Sequence, residues 1–167
     1  FPIPEIPKLT VKNARQGFVT DAEIQKLLDE LPEYLRGPTA FAYITGWRRG
    51  EVFGLQWKDV DWESLEISLE TSKNGEGRVV PFSTVSRLEA VLRKAKSDTA
   101  KVQKETERIV PWVFHQNGKP IMDTRKDWRE ATKAAGLEGL LFHDLRRSAV
   151  RNMERAGVPR SVAMKVT

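Results

Sequence analysis

The sequence predicts an α+β domain that is mostly helical and contains a small antiparallel sheet. Apolar residues recur at helical spacing in the first third of the chain, and helical patterns return in the second half. Between them, Leu65, Ile67 and Leu69 alternate with polar residues, and the turn-forming stretch KNGEG separates this run from RVVPF. Two β-rich runs flanking such a turn are typical of a β-hairpin. The length of 167 residues fits one domain.

The amino-terminal residues form a separate segment. Pro2, Pro4 and Pro7 accompany basic residues and favour an extended backbone that buries little apolar surface. We therefore expect residues 1–16 to be an interdomain linker and residues 17–167 to be a single domain, with a further domain on the amino-terminal side of the linker.

The first predicted helix has a clear beginning. Thr20 followed by Glu23 is a capping-box pattern. Four apolar residues then follow at helical spacing before Pro32, namely Ile24, Leu27, Leu28 and Leu31.

Residues 38–45 predict a buried second helix that starts at Pro38 and stops at Gly46, since proline favours the first helical position and glycine the position after the end. A short third helix is expected within 48–57.

The second half predicts further helices joined by irregular segments. A helix is expected over 84–96, a mobile charged loop over 97–108 and a strand over 109–114. The remaining helices are predicted near 123–135, 143–156 and 159–166.

The charge balance favours a polyanionic partner. The chain carries 28 Lys and Arg residues against 23 Asp and Glu residues, with a net charge of +5. Residues 143–167 hold six basic residues against two acidic ones. The absence of cysteine excludes disulfides and thiolate metal sites. No apolar run approaches the roughly 18 residues that a membrane span needs, and the first residues lack the apolar block of a secretory signal, so we expect a soluble, intracellular protein.

HDLRR at 143–147 is the first candidate site. Positions i, i+3 and i+4 share one side of a helix, so His143, Arg146 and Arg147 are expected to project together near a helix amino terminus that favours anions. The alternative is a solvated basic face in which Asp144 caps the helix.

TGWRRGE at 45–51 is the second candidate site. Arg48 and Glu51 are three residues apart, so the carboxylate can hold the guanidinium in a pose suited to bidentate phosphate binding. An ordinary surface ion pair is the alternative. Lys73, at the entrance to the predicted turn, could deliver a proton or could be a solvated turn residue.

Read in order, TGxRxxE, a hairpin lysine and HxLRR resemble the catalytic domain of the tyrosine recombinases, also called the phage integrase family. The likeness runs from about Gly17 to the last residue, and FVTDAEIQKLL, LQWKDVDWE, RVVPF and VFHQNGKPI also fit the family's pattern.

The resemblance implies a role for each matching residue. Arg48 and Arg146 would clamp one scissile DNA phosphate, His143 would hydrogen-bond it and assist proton transfer, and Lys73 would protonate the departing 5′-oxygen. Glu51 would orient Arg48, and Arg147 would support the helix or touch the DNA backbone. The implied site needs no metal and no other cofactor.

The resemblance also implies a nucleophile beyond these motifs. Family members continue past a segment like GVPRSVAMKVT into a Gly-His motif and then a tyrosine that forms a 3′-phosphotyrosyl link. The chain holds only Tyr34 and Tyr43, both in apolar helical surroundings typical of a packing role. We therefore expect a domain truncated before its nucleophile, which cannot cleave DNA by itself.

Two other functions remain open. Asp59 and Asp61 could be the metal ligands of a metal-dependent nuclease. Two acidic residues separated by one position near the start of a strand, however, more often flank a turn. The second alternative function is a non-catalytic module that binds DNA or protein. His115 has no accompanying metal ligands in sequence, and most of the tryptophans, Trp57, Trp62, Trp112 and Trp128, are expected to be core or interface anchors.

The implied partner is double-stranded DNA, on which the full-length family members usually assemble as tetramers. The implied location is the cytoplasm of a bacterium, at the nucleoid, with the gene carried by the bacterium or a phage.

Overall fold

The computed structural model describes residues 18–69 and 77–167. These ranges contain seven α-helices and a three-stranded sheet. The helices are α1 (Asp21–Glu30), α2 (Glu33–Thr45), α3 (Arg49–Phe53), α4 (Ser86–Thr106), α5 (Arg125–Ala134), α6 (Asp144–Arg155) and α7 (Arg160–Val166). The strands are β1 (Val60–Asp61), β2 (Glu66–Leu69) and β3 (Arg78–Pro81), all antiparallel in the order β1-β2-β3. The predicted α+β class is confirmed. The predicted linker, residues 1–16, lies outside the described residues.

Helix α1 is built as its sequence predicts. Thr20 accepts a hydrogen bond from the Glu23 amide, and the Glu23 carboxylate accepts one from the Thr20 amide at 2.8 Å. Ile24 and Leu27 are buried, and the helix ends at Glu30, before Pro32.

Helix α2 begins earlier than predicted. It starts at Glu33, immediately after Pro32, and therefore holds Pro38 in its interior instead of at its first position. Burial outweighs the lost hydrogen bond, because Pro38 is itself buried and the neighbouring Gly37 packs against the Phe114 ring. The predicted end is confirmed, since Gly46 caps the helix in the left-handed conformation at φ 69°.

The hairpin prediction is confirmed for its described part. In β2 and β3, Ile67 pairs with Val80 and Leu69 pairs with Arg78. Ile67 and Val80 are buried, so one face of the sheet covers the core. The turn between the strands, with Lys73, lies outside the described residues.

The predicted loop at 97–108 is wrong, because α4 continues to Thr106. Leu88, Leu92, Ala95 and Thr99 are all buried, so the spacing that faces the core persists past the point where the composition becomes strongly charged. The helix packs on α2 and keeps its charges on the outside.

The predicted strand at 109–114 is also wrong. This segment forms an isolated β-bridge between Trp112 and Gln56, and two further backbone hydrogen bonds join it to Leu55 and Trp57. Val113 and Phe114 are buried, so burial accounts for the apolar run that resembled a strand.

The three remaining helix predictions are confirmed by α5, α6 and α7. Helix α6 packs on α2, and α7 contacts both α6 and β3. These contacts bring the end of α2, the start of β3 and the start of α6 together at the end of α7. Among the described residues, none of the helices has the length and apolar character required to cross a lipid bilayer.

Candidate functional site

Arg48 is held in place by Glu51. Arg48 precedes α3 with an extended backbone, and Glu51 occupies the third helical position. The Glu51 carboxylate accepts a 2.8 Å hydrogen bond from the Arg48 amide and a 3.0 Å contact from Arg48 Nη1. The predicted pair is therefore present, although Arg48 lies just before the helix and not within it. Its side chain remains 32% exposed, so it is both fixed and accessible.

Arg146 reaches the same region from α6. Its Nη1 donates to the Gly46 carbonyl at 2.9 Å and to the Thr167 main-chain oxygen. Burial lowers the pKa of Arg146, and the positive charges of Arg48 and Arg78 lower it further. The guanidinium groups of Arg48 and Arg146 are therefore close enough to interact, although 98 positions separate the two residues in sequence.

Arg78 is a member of this cluster that the sequence did not identify. Its Nη2 lies 2.5 Å from Glu51 Oε1, and its Nη1 donates to the Thr167 main-chain oxygen. A signal for it existed in RVVPF, because Arg78 is two residues before the buried Val80 and so shares its face of the strand. An arginine on an inward-facing strand position requires a buried partner, which here is Glu51.

Gly46 lets the chain pass tightly between these elements. A Cβ atom at this position would lie 2.9 Å from Thr167 Cγ2 and 3.1 Å from Ala149 Cβ. Next to it, the buried Trp47 donates from Nε1 to the Val166 carbonyl at 2.9 Å. The end of α2 and the end of α7 are thus fixed against each other.

The other predicted site residues have separate surroundings. His143 is exposed immediately before α6, and its carbonyl accepts from the Arg146 amide at 3.2 Å. Arg147 is also exposed and stacks over the Phe18 ring at 5.4 Å, whereas Arg146 points to Gly46. The two arginines of HDLRR therefore have different neighbours. Lys73 lies outside the described residues.

Neither tyrosine is free to act as a nucleophile. The Tyr34 hydroxyl donates to Asp127 at 2.5 Å, and burial together with this carboxylate raises its pKa to about 12. Tyr43 is buried and donates to the Val19 carbonyl at 3.2 Å, and burial raises its pKa as well. Both hydroxyls are occupied by hydrogen-bond acceptors, and a phenol with a raised pKa is less ionised at neutral pH, so both residues have packing roles.

Asp59 and Asp61 accept local hydrogen bonds. Asp59 accepts from the Gln56 amide at 3.0 Å, and Asp61 accepts from the Glu63 and Ser64 amides at 2.8 and 3.2 Å. The amides of Ser64 and Glu63 lower the pKa of Asp61. Both carboxylates therefore shape the turn that leads into and out of β1, as the sequence interpretation favoured.

His115 has structural partners. Its ring contacts Thr99 Oγ1 at 3.1 Å and accepts from the Gly118 amide at 3.2 Å, and burial lowers its pKa. Over residues 18–69 and 77–167, there is no group of three His, Cys, Asp or Glu residues that could hold a metal ion.

The predicted tryptophan anchors differ in burial. Trp128 is buried and donates to the Leu140 carbonyl at 2.7 Å. Trp62 packs edge-on against Phe82, with Lys96 over its ring at 4.3 Å.

The chemistry of the cluster follows from its charges. Glu51 pairs with Arg48 and Arg78, and the Arg146 guanidinium interacts electrostatically with all three groups, so positive charge exceeds negative charge in the cluster. Guanidinium forks match the geometry of phosphate oxygens, and their charge does not depend on pH in the physiological range. The arrangement suits the binding and stabilisation of a phosphodiester.

Three comparisons place the chain among known proteins. The integrase of Salmonella phage P22 is 27% identical over 179 aligned residues, which cover 99% of this chain and 43% of that protein. The lambda integrase catalytic core has a TM-score of 0.71 at 22% identity, with 90% of each chain covered. A lambda integrase tetramer bound to a Holliday junction has a TM-score of 0.69 at 20% identity, and the alignment covers 93% of this chain and 47% of the lambda integrase chain. The chain thus spans less than half the length of the P22 protein.

The family model for the phage integrase family matches residues 17–167. This match covers nine-tenths of the sequence, and it includes every arginine of the cluster together with Glu51 and His143. Fold, arginine cluster and sequence match agree, and the chain belongs to the phage integrase family.

Proposed function

We propose that this chain is the catalytic domain of a site-specific DNA recombinase or integrase, which cleaves and rejoins DNA strands through a 3′-phosphotyrosyl intermediate. The single observation that carries the proposal is the convergence of Arg48, just before α3, and Arg146, in α6, on one positively charged site. Two fixed cations of this kind can neutralise both non-bridging oxygens of a scissile phosphate.

In the proposed reaction, a tyrosine oxygen attacks phosphorus and the bond to the 5′-oxygen of the next nucleotide breaks. Arg48 and Arg146 stabilise the charge on the non-bridging oxygens of the pentacoordinate transition state. His143 hydrogen-bonds the phosphate and assists proton transfer, and Lys73 gives a proton to the departing 5′-oxygen. Attack by that 5′-oxygen reverses the steps and rejoins a strand.

Glu51 acts in this scheme by holding Arg48, and Arg147 supports α6 or contacts the DNA backbone. The reaction needs no metal ion or other cofactor, because fixed guanidinium groups supply the positive charge and acid–base groups move the protons.

The proposed partner is double-stranded DNA, and the proposed active assembly is a tetramer. The support is the similarity to a lambda integrase tetramer bound to a Holliday junction and the net charge of +5. We place the protein in the bacterial cytoplasm at the nucleoid, encoded by a phage or its host, in keeping with the relative from phage P22. Residues 1–16 are proposed to link this domain to another DNA-binding domain.

The nucleophile is proposed to be a tyrosine outside these 167 residues, because Tyr34 and Tyr43 are both engaged in packing. The test uses a nicked suicide DNA substrate, which traps a covalent protein adduct when a short strand diffuses away. The 167-residue chain should bind DNA weakly and form no adduct. A version extended to include the following tyrosine should form one, and a change of that tyrosine to phenylalanine should abolish it.

The same assay separates the competing functions. Adduct formation by the extended protein should survive EDTA and disappear in Arg146→Ala. Cleavage that requires a metal and survives Arg146→Ala would indicate a metal-dependent nuclease. Salt-dependent DNA binding without any nicking by the extended protein would indicate a non-catalytic module.

A further inference from the structure

Arg78 is more buried than Arg48. It opens β3 opposite Leu69, and its side chain is only 10% exposed. A charge removed from water to this degree destabilises the fold unless it is paired and hydrogen-bonded. Its presence inside the domain therefore requires a compensating partner.

The partner is the carboxylate that also holds Arg48. Glu51 Oε1 lies 2.5 Å from Arg78 Nη2 and 3.0 Å from Arg48 Nη1, so one oxygen joins both arginines. Glu51 is itself only 12% exposed. Without Arg78, this carboxylate would lose the buried half of its ion pairing and could move away from Arg48.

Arg78 also contacts the end of α7. Arg78 Nη1 lies 3.5 Å from the Val166 carbonyl. The Arg78 guanidinium lies 5.5 Å from the Trp47 ring centroid, and Trp47 is fixed to Val166. Arg78 therefore joins β3, α3 and the end of α7.

Burial argues against direct contact with DNA. Arg48 exposes 32% of its side chain and can meet a phosphate, whereas Arg78 is enclosed by Glu51, Trp47 and the end of α7. An enclosed arginine influences a reacting phosphate through the residues that it holds.

We propose that Arg78 is a positioning residue, which keeps Arg48, through Glu51, directed at the scissile phosphate. This assignment rests on the proposed recombinase function. Misplacement of a catalytic group by about 1 Å can cost roughly 100-fold in rate, so a residue that never touches DNA can control cleavage.

The test measures single-turnover cleavage and DNA affinity in the full-length protein that carries this domain. Arg78→Ala should slow cleavage at saturating DNA by about 10- to 100-fold, with DNA affinity changed by less than about 3-fold. The cleavage rate of Arg78→Lys should fall between those of Arg78→Ala and the unsubstituted protein, because an ammonium can pair with Glu51 but lacks the second donor nitrogen of a guanidinium. Arg93→Ala is the matched control, since Arg93 also forms an ion pair but is 63% exposed, and it should cleave normally.

A double-mutant cycle with Glu51→Gln distinguishes positioning from general stabilisation. If Arg78 acts through Glu51, the double variant should cleave little more slowly than the slower single variant. Multiplicative losses would overturn the assignment. So would normal cleavage by Arg78→Ala, or parallel losses of cleavage and DNA binding that follow the unfolded fraction in both Arg78 variants. Failure of the unsubstituted protein to cleave would overturn the proposed function and this assignment with it, whereas cleavage by that protein with no effect at Arg78 would overturn this assignment alone.

Discussion

The outer face of α4 and the arginine cluster use the same residue types in opposite ways. On α4, Arg93 pairs with Glu89 and Lys94 pairs with Asp98, each four residues apart, and the basic side chains are 63% and 60% exposed. In the cluster, Glu51 joins Arg48 and Arg78, and the Glu51 and Arg78 side chains are 12% and 10% exposed.

The difference shows which features distinguish the ion pairs of the cluster from ordinary surface ion pairs. On α4, each pair lies within one helix, and water screens both charges, so the pairs contribute little beyond solubility. In the cluster, Glu51 pairs with Arg48 at the start of the same helix and also with Arg78 from β3, so one carboxylate is shared by two arginines and excess positive charge remains at a fixed place. In the proposed function, this excess charge binds the scissile phosphate of DNA.

The largest effect is expected from Arg146→Ala. In the full-length protein, loss of this guanidinium should reduce strand cleavage by about 10²–10³-fold, because it removes a preorganised donor to the developing charge. Single-turnover cleavage of a suicide substrate measures the loss. Arg93→Ala is the control and should retain full activity, and an equal loss in both variants would erase the distinction between the two regions.

The next effect is expected from Glu51→Gln. The amide keeps the shape but removes the charge shared by Arg48 and Arg78, so the free energy of unfolding should fall by about 2–3 kcal/mol. Urea unfolding of the 167-residue chain measures it. Glu89→Gln on α4 is the matched control. A stability loss at Glu51 no larger than that at Glu89 would contradict the importance of burial.

A smaller effect is expected from Gly46→Ala. The left-handed backbone at φ 69° costs any other residue about 1–2 kcal/mol, and the added Cβ would also meet Thr167 at 2.9 Å. Gly136→Ala is the control, because it has φ 75° and nothing within 4 Å of an added Cβ. The excess loss at Gly46, measured by urea unfolding, reports the close approach of α2 and α7. Equal losses at the two positions would show that the close packing of α2 against α7 does not add to the loss of unfolding free energy.

The smallest effect is expected from Arg93→Ala on stability. An exposed i,i+4 pair contributes about 0.2–0.5 kcal/mol, and added salt should remove most of it. Unfolding at low and high ionic strength tests this. A loss above about 1 kcal/mol would place the α4 pairs in the same class as the cluster.

Local patterns explain which parts of the fold were predictable. The capping box at Thr20, the stop at Gly46 and the alternation through Ile67 each involve neighbours in sequence, and all were confirmed. The charged half of α4 was misassigned because its core contacts, through Ala95 and Thr99, are made with α2 and cannot be recognised from composition.

The candidate site was predictable through its motifs and not through its packing. Arg48, Glu51, His143 and Arg146 lie in short motifs that resemble the family, and the proximity of Arg48, Glu51 and Arg146 to one another is a tertiary property. Arg78 lies in RVVPF, which also fits the family's pattern, but its burial against Glu51 depends on how β3 meets α3 and α7. The strand pattern indicated an inward-facing arginine, and the fold identified its partner.

The central claim is that Arg48 and Arg146 serve one phosphate. A structure of the full-length protein bound to its DNA site tests this most directly. We predict that both guanidinium groups donate to non-bridging oxygens of the same scissile phosphate, with Glu51 still bound to Arg48 and Arg78. Contacts of the two arginines with different phosphates, or an Arg146 that faces away from the DNA, would contradict the account.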